Sequence, residues 1–354
     1  MIRTLTGWIV AYLVRWLPHS TPTGLFPVGK PDANSPVLIT VNFTLTVKRV
    51  RRALAKKDAW LLVAHSKGIN VWCAAAGGIF TESSIIDAIK ISHLSEKVSH
   101  REVILPPLSA TGVDREAVKQ LTGFSCQFGP VYARDIPAYL KAGKNKPDGM
   151  RRFDFGLRHR LDMFLPMNFP VYLLVAVVLA TVASAQLLGF TALFWLAAAF
   201  LYIFIDIIPG KTGWGQAMLS SLFVVFAWVA IDWYTRGNPL EHWGWLVATF
   251  FVFFGAGFDI AGTLSSRTSD AERMMQRLKF KRFGSLFVAT DEGVVQLEHN
   301  KCQGCLNCLE ICPVGVFAGL DTSKKMAFKD QEACFACGAC VKQCPQNALS
   351  LNHA

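Results

Sequence analysis

Apolar and polar positions divide this 354-residue chain into regions of different period. Between residues 30 and 145, short apolar runs alternate with amphipathic ones. PVLITVN (36–42) and AWLLVAH (59–65) read as buried strands, VKRVRRAL and SSIIDAIK (83–90) as helices, and EVILPP, DREAVKQL, FSCQFGP and IPAYLKAG continue the alternation. Strands alternating with helices predict a small parallel α/β domain, in which ligands bind beyond the carboxyl ends of the strands. From 164 to 264 the alternation gives way to near-continuous apolarity. Four stretches, about 171–188, 190–208, 216–234 and 243–262, with QLLGF at the first junction, each approach the ~20 residues a helix needs to cross a bilayer. They predict a four-helix transmembrane domain. At the start, residues 1–20 place Ile2, Leu5, Ile9, Tyr12, Leu13 and Trp16 near helical spacing. This stretch is short and carries Arg3 and Arg15, and no small-residue cleavage site comes after it, so it predicts an amphipathic helix in the membrane interface.

Charge supports the membrane reading. The formal net charge is +11, but the basic residues flank the apolar block instead of forming one extended face, which argues against nucleic acid as a partner. Lys141, Lys144, Lys146, Arg151, Arg152, Arg158 and Arg160 precede the first span. Arg267, Arg273, Arg277, Lys279, Lys281 and Arg282 come after the last, and the outer loops hold little beyond Arg236. The positive-inside rule then puts a multi-pass protein in the cytoplasmic membrane with both soluble ends in the cytoplasm. Asp206, Asp232 and Asp259 lie near span ends and read as interfacial. The N-F-T triplet at 42–44 matches a glycosylation sequon only by accident if it is cytoplasmic.

Eight of the ten cysteines lie between 302 and 344. CQGCLNCLEICP and CFACGACVKQCP both read C-x-x-C-x-x-C-x-x-x-C-P, the bacterial ferredoxin run that binds two [4Fe-4S] clusters. Thiolates are soft, charged donors suited to iron, and three at this spacing wrap one cluster while the fourth crosses to the other. That assigns Cys302, Cys305, Cys308 and Cys344 to one cluster, and Cys334, Cys337, Cys340 and Cys312 to the second. Ligation in a reducing compartment explains this usage better than disulfides, and zinc sites seldom use two identical runs ending in Cys-Pro. Residues 291–351 therefore predict an α+β ferredoxin domain that passes single electrons and needs a low-potential electron donor.

The segment GINVWCAAAGGIF (68–80) begins just beyond the second predicted strand. An isolated cysteine is commonly a small buried hydrophobe. Against that, a thiol on an alanine-rich, glycine-ended turn suits close approach by something large and flat, with the sulfur free to ligate a soft metal. GINVWCAA with Gly77, Gly78 and Phe80 resembles the cap-helix motif of the corrinoid protein of the mercury-methylation pair (HgcA). The ferredoxin region is similar to that pair's partner (HgcB), so the chain resembles a fusion of the two.

The resemblance implies a multidomain protein with a Rossmann-like corrinoid-binding α/β domain at 30–145. Cys73 is then the lower axial cobalt ligand, with Asn70, Val71, Trp72, Ala74 and Ala75 shaping the helix beneath a cobalamin-type corrinoid and Asn42 and Thr44 contacting it. The implied activity is a corrinoid-dependent methyltransferase. Ferredoxin electrons reduce cobalt, a separate methyltransferase supplies the methyl group from a methylated pterin, and Hg(II) or another soft acceptor receives it. Ala76-Gly77 stands where the family motif has Gly-Lys, and no cysteine comes after Cys344, so the acceptor stays open. Two other readings stand beside this one: a membrane-tethered electron-transfer protein, and a corrinoid methyl carrier to another protein.

Overall fold

The computed structural model describes residues 17–153, 156–182, 184–204, 213–236, 294–334 and 336–352, with isolated positions elsewhere. Two compact units form. One joins Leu17–Phe153 to the cysteine-rich C-terminal region, and the other contains Asp154–Leu278 with Tyr12–Trp16.

In the first unit, β1 (Gly24–Val28), β2 (Val37–Val41), β3 (Ala59–Ala64), β4 (Glu102–Leu105) and β5 (Ser125–Phe128) form one sheet in the order β1-β3-β2-β4-β5. The predicted strands β2 to β5 are parallel neighbours. The sheet is nevertheless mixed, because β1 runs antiparallel along β3 from Gly24 opposite Val63 to Val28 opposite Ala59. GLFPV carries no alternation to betray a strand, and Pro27 is tolerated because β1 lies at the sheet edge. Every residue of β2 is buried, as a central parallel strand covered on both faces requires. Val37, Ile39 and Val41 enter one core with Leu62 and Ala64, while Leu38 enters the other with Leu61 and Val63. The helices Thr44–Ala53, Glu82–Ile91 and Arg115–Thr122 cover the sheet. The last starts where Asp114 accepts hydrogen bonds from the Glu116 and Ala117 amides, and it ends at Gly123, whose φ of 76° is left-handed.

The cysteine-rich region pairs β6 (Val294–Leu297) with β9 (Leu349–Asn352) and β7 (Phe317–Leu320) with β8 (Met326–Phe328), both antiparallel. Val295, Ile311, Val316 and Phe317 fill its centre, which continues into the core on the Val37–Ile39 face of the large sheet.

In the second unit the helices Leu157–Val182, Leu187–Phe204 and Gly213–Arg236 succeed one another. Among the described residues the first two are long and apolar enough to cross a membrane, and Met218–Ala230 is a shorter apolar stretch. The first helix begins at Leu157, ahead of the expected 171, so Arg158, Arg160 and Asp162 lie on it and Pro166 and Pro170 inside it. Proline lacks the amide that would bond four residues back. The Tyr12 hydroxyl instead donates to the Asp162 carbonyl at 2.6 Å, and Arg15 pairs with the Asp162 carboxylate at 3.1 Å. The chain turns at Ser184–Gln186, so Leu187–Phe190 open the second helix instead of forming the expected junction. Most of residues 1–20, the fourth stretch at 243–262, and the side chains of Asp206, Asp232 and Asp259 fall outside the described residues.

Candidate metal centres

The loops after β2 and β3 position Cys73. Asn42, one residue past β2, is buried, and its Oδ1 accepts hydrogen bonds from the Ser66 amide (2.9 Å), the Ser66 hydroxyl (3.0 Å) and the Gly68 amide (3.1 Å). One carboxamide oxygen thus holds the turn between β3 and the Cys73 helix. Gly68 has a φ of +70°, and a Cβ there would stand 2.7 Å from the Ser20 amide nitrogen. A strap at His19–Thr21 closes over this turn. The His19 amide donates to Gly68 O, the Thr21 amide to Asn42 O, and both the amide and the hydroxyl of Thr44 to His19 O. The hydrogen bonds of Asn42 Oδ1 and of Thr44 are therefore made inside the protein, where they shape the loop that carries Cys73. Ser66, Gly68 and the strap carry no motif that would have flagged them.

The helix itself is Val71–Ala76. Asn70 caps it with both ends of its side chain: Oδ1 accepts from the Cys73 amide at 3.0 Å, and Nδ2 donates to Cys73 Sγ at 3.3 Å. The residues expected to surround the ligand divide between two faces. Val71, Ala74 and Ala75 are buried in the core, whereas Asn70, Trp72, Cys73 and Ala76 are half-buried. Beyond the helix, exposed Gly78 (φ +68°) would have nothing within 4 Å of a Cβ. Cys126 differs. It is buried on β5, and desolvation pushes its thiol up to about 12.

The eight remaining cysteines gather in two quartets. Cys302, Cys305, Cys308 and Cys344 line one pocket, and Cys312, Cys334, Cys337 and Cys340 line another. Among the described residues no three His, Cys, Asp or Glu side chains are disposed to hold a single metal ion. Four soft donors in each quartet suit a cluster instead. Burial pushes the Cys308 and Cys337 thiols up to about 12 and raises Cys312 and Cys340, so their thiolates need a cationic centre to compensate lost hydration. Backbone amides already point at sulfur, from Met326 to Cys302, Val316 to Cys312, Ala336 to Cys334 and Ala348 to Cys344. Such bonds raise the potential of a bound cluster. The two runs repeat in conformation as well as in sequence. Gly304 and Ala336 are both left-handed (φ 69° and 55°), and so are Leu306 and Gly338 (φ 63° and 71°).

Both ends of this unit have known counterparts. Residues 11–140 match the family model of the CO dehydrogenase/acetyl-CoA synthase delta subunit, and residues 301–349 match that of a 4Fe-4S dicluster domain. The acetyl-CoA decarbonylase/synthase complex subunit gamma of Methanopyrus kandleri is 36% identical over 126 residues, which cover 35% of this chain and 27% of that protein. Subunit gamma 2 of Methanosarcina thermophila is 41% identical over 134 residues, covering 37% and 28%. The chain spans about a quarter of the length of these curated relatives.

The cysteine-rich region docks at the carboxyl ends of β4 and β5. Lys342 Nζ donates to Gly112 O at 2.6 Å, and Gln343 Nε2 donates to Ala110 O at 3.0 Å and Val113 O at 2.6 Å. Lys342 also lies 3.6 Å from the Glu82 carboxylate, which accepts from the Asp114 amide. Burial works against the Glu82 charge, but Asp114 and Lys342 together hold its carboxyl below the usual range. A second contact lies at the end of β5. Buried Lys146 donates to Phe128 O and Gly129 O and pairs with Glu310 at 3.5 Å, and the Phe153 amide donates to Pro313 O.

Proposed function

We propose that this chain is a membrane-anchored corrinoid iron-sulfur protein that accepts a methyl group and passes it on. The observation that carries this reading is Cys73: a half-buried thiol on the outward face of a short alanine-rich helix, hydrogen-bonded by Asn70. The likeness of residues 11–140 to the CO dehydrogenase/acetyl-CoA synthase delta subunit model supports it. So does the presence in the same unit of a region similar to 4Fe-4S dicluster domains.

Cys73 Sγ would hold the cobalt of a corrinoid, with Trp72 and Ala76 on the same face, while Val71, Ala74 and Ala75 fix the helix from below. A bound corrinoid supplies a cobalt centre that takes up and releases a methyl group. Asn70 orients the sulfur and, by donating to it, lowers its electron density. Asn42 fixes the turn before the helix and so the height of the thiol. Cys302, Cys305, Cys308 and Cys344 would hold one [4Fe-4S] cluster and Cys312, Cys334, Cys337 and Cys340 the other. Together they supply low-potential electrons drawn from an external donor. The apolar helices Leu157–Val182 and Leu187–Phe204 would anchor the chain in the membrane with its soluble parts in the cytoplasm.

The methyl donor would be a methylated pterin, presented by a separate methyltransferase. The acceptor would be Hg(II) or a comparably soft electrophile, as in a fused mercury-methylation pair. A second reading, delivery of the methyl group to another protein, is favoured by the relatives' description as subunits of an acetyl-CoA decarbonylase/synthase complex.

Anaerobic purification with cobalamin should give about one cobalt per chain, with absorption bands that shift in Cys73→Ala. A wild-type protein holding iron and sulfide but no cobalt would overturn the reading. Methylmercury formation by cobalt-loaded protein then separates the two acceptors.

A further inference from the structure

The docked surfaces carry an inference that rests on the corrinoid reading of Cys73. We propose that Gln343, assisted by Lys342, is a positioning residue that seats the cluster pair against the loop Ala110–Val113, and that this loop is the electron route to the metal held at Cys73.

Three observations converge on this loop. The segment Cys340–Cys344 contributes one cysteine to each quartet, and the residues between those cysteines grip the loop. Gln343 is buried and directs one amide nitrogen at two carbonyls, Ala110 O and Val113 O, while Lys342 takes the Gly112 carbonyl between them. Three carbonyls of the loop are thereby fixed from the cluster side. From the opposite side the loop meets the Cys73 helix. A Cβ on Gly112 would stand 2.5 Å from Ala75 O and 2.5 Å from Phe80 O, so backbone touches backbone there with no side chain between. A path of covalent bonds, hydrogen bonds and one through-space backbone contact, at Gly112, therefore runs from Cys344 through Gln343 and the loop to the helix that bears Cys73.

The transfer moves one electron. The reduced cluster pair loses it, the metal at Cys73 gains it, no bond in the loop forms or breaks, and a low-potential one-electron reductant restores the clusters. Gln343 touches no reacting atom. It sets the register through the loop, and a glutamate of the same size, which accepts where glutamine donates, would turn two attractions into repulsions.

The test uses the full-length protein loaded with clusters and cobalamin. Gln343→Glu should keep wild-type iron, sulfide and cobalt contents and unchanged cluster EPR signals. Amide exchange at Ala110–Val113 should accelerate, and cobalt reduction by clusters pre-reduced with titanium(III) citrate should slow at least tenfold. Gly112→Ala, which displaces the loop from the Cys73 side, should slow the same step without touching a cluster ligand. Wild-type transfer rates in Gln343→Glu, with or without faster exchange, would overturn the proposal. Absence of cobalt from the wild-type protein would overturn the Cys73 reading itself, a result separable because it appears before any substitution is made.

Discussion

Outside the two ferredoxin runs the chain has two cysteines, and burial separates what each can do. Cys73 is half-buried with an amide donor on its sulfur, whereas Cys126 is buried on β5 and its thiol is pushed up to about 12. Iodoacetamide at pH 8 should therefore label Cys73 in cobalt-free protein and leave Cys126 unmodified until the chain unfolds, as peptide mass mapping would show. Labelling of both at equal rates would contradict the burial. The raised Cys126 value also fixes a sign. The unfolded thiol ionises around its ordinary value of 9.0, so the stability linked to Cys126 is complete below that pH and is lost as pH rises towards about 12. The gathering of eight cysteines into two quartets was legible in the sequence because their spacing repeats within two short runs. The hydrogen bonds of Asn42 were not, since they depend on Ser66 and Gly68, which folding brings to it across the sheet.

Strands with strong apolar runs declared themselves, and β2 through β5 obey the pattern that predicts them. Elements made by context did not. β1 exists because β3 offers it an unpaired edge, and the first long helix extends back through charged residues because apolar positions such as Leu161, Phe164 and Leu165 continue its helical run. The Lys146 contact shows how one side chain can join elements distant in the chain. Burial drives its ammonium below the ordinary lysine range while Glu310 opposes that shift, and two carbonyls at the end of β5 accept hydrogen bonds from it. Lys146→Met should cost about 2–3 kcal/mol in chemical denaturation, chiefly from the two carbonyls left without a donor, with a smaller part from the half-exposed Glu310. A loss below about 0.5 kcal/mol would show that water replaces the ammonium freely.

For the assembled chain, the sequence separates an α/β domain from a ferredoxin domain but does not say that they fold onto each other. The contacts are made by a backbone loop and by polar residues, Lys342 and Gln343, that look like ordinary surface positions in a sequence. The apolar middle is the reverse case, evident from composition alone. Leu174, Val182, Leu188, Leu196 and Phe226 are exposed on its helices, and apolar exposure of this extent marks an interaction surface, of which a lipid bilayer is the one the proposal names. Expressed protein should sediment with membranes, resist alkaline carbonate, and be released by detergent. Recovery in the soluble fraction would remove the membrane anchor from the proposal.

The left-handed residues of the two ferredoxin runs show one backbone shape used twice. With Cys302 aligned on Cys334, Gly304 corresponds to Ala336 and Leu306 to Gly338, and each of these two pairs keeps the same unusual backbone while only one member is glycine. The shared torsions accompany the shared cysteine spacing, whichever residue supplies them. Gly304 leaves no room for a side chain, because a Cβ there would stand 2.3 Å from Lys324 O, whereas a Cβ at Gly338 would meet nothing closer than a side-chain carbon of Leu351 at 4.0 Å. Torsion angles in this region thus repeat at positions where residue identity does not.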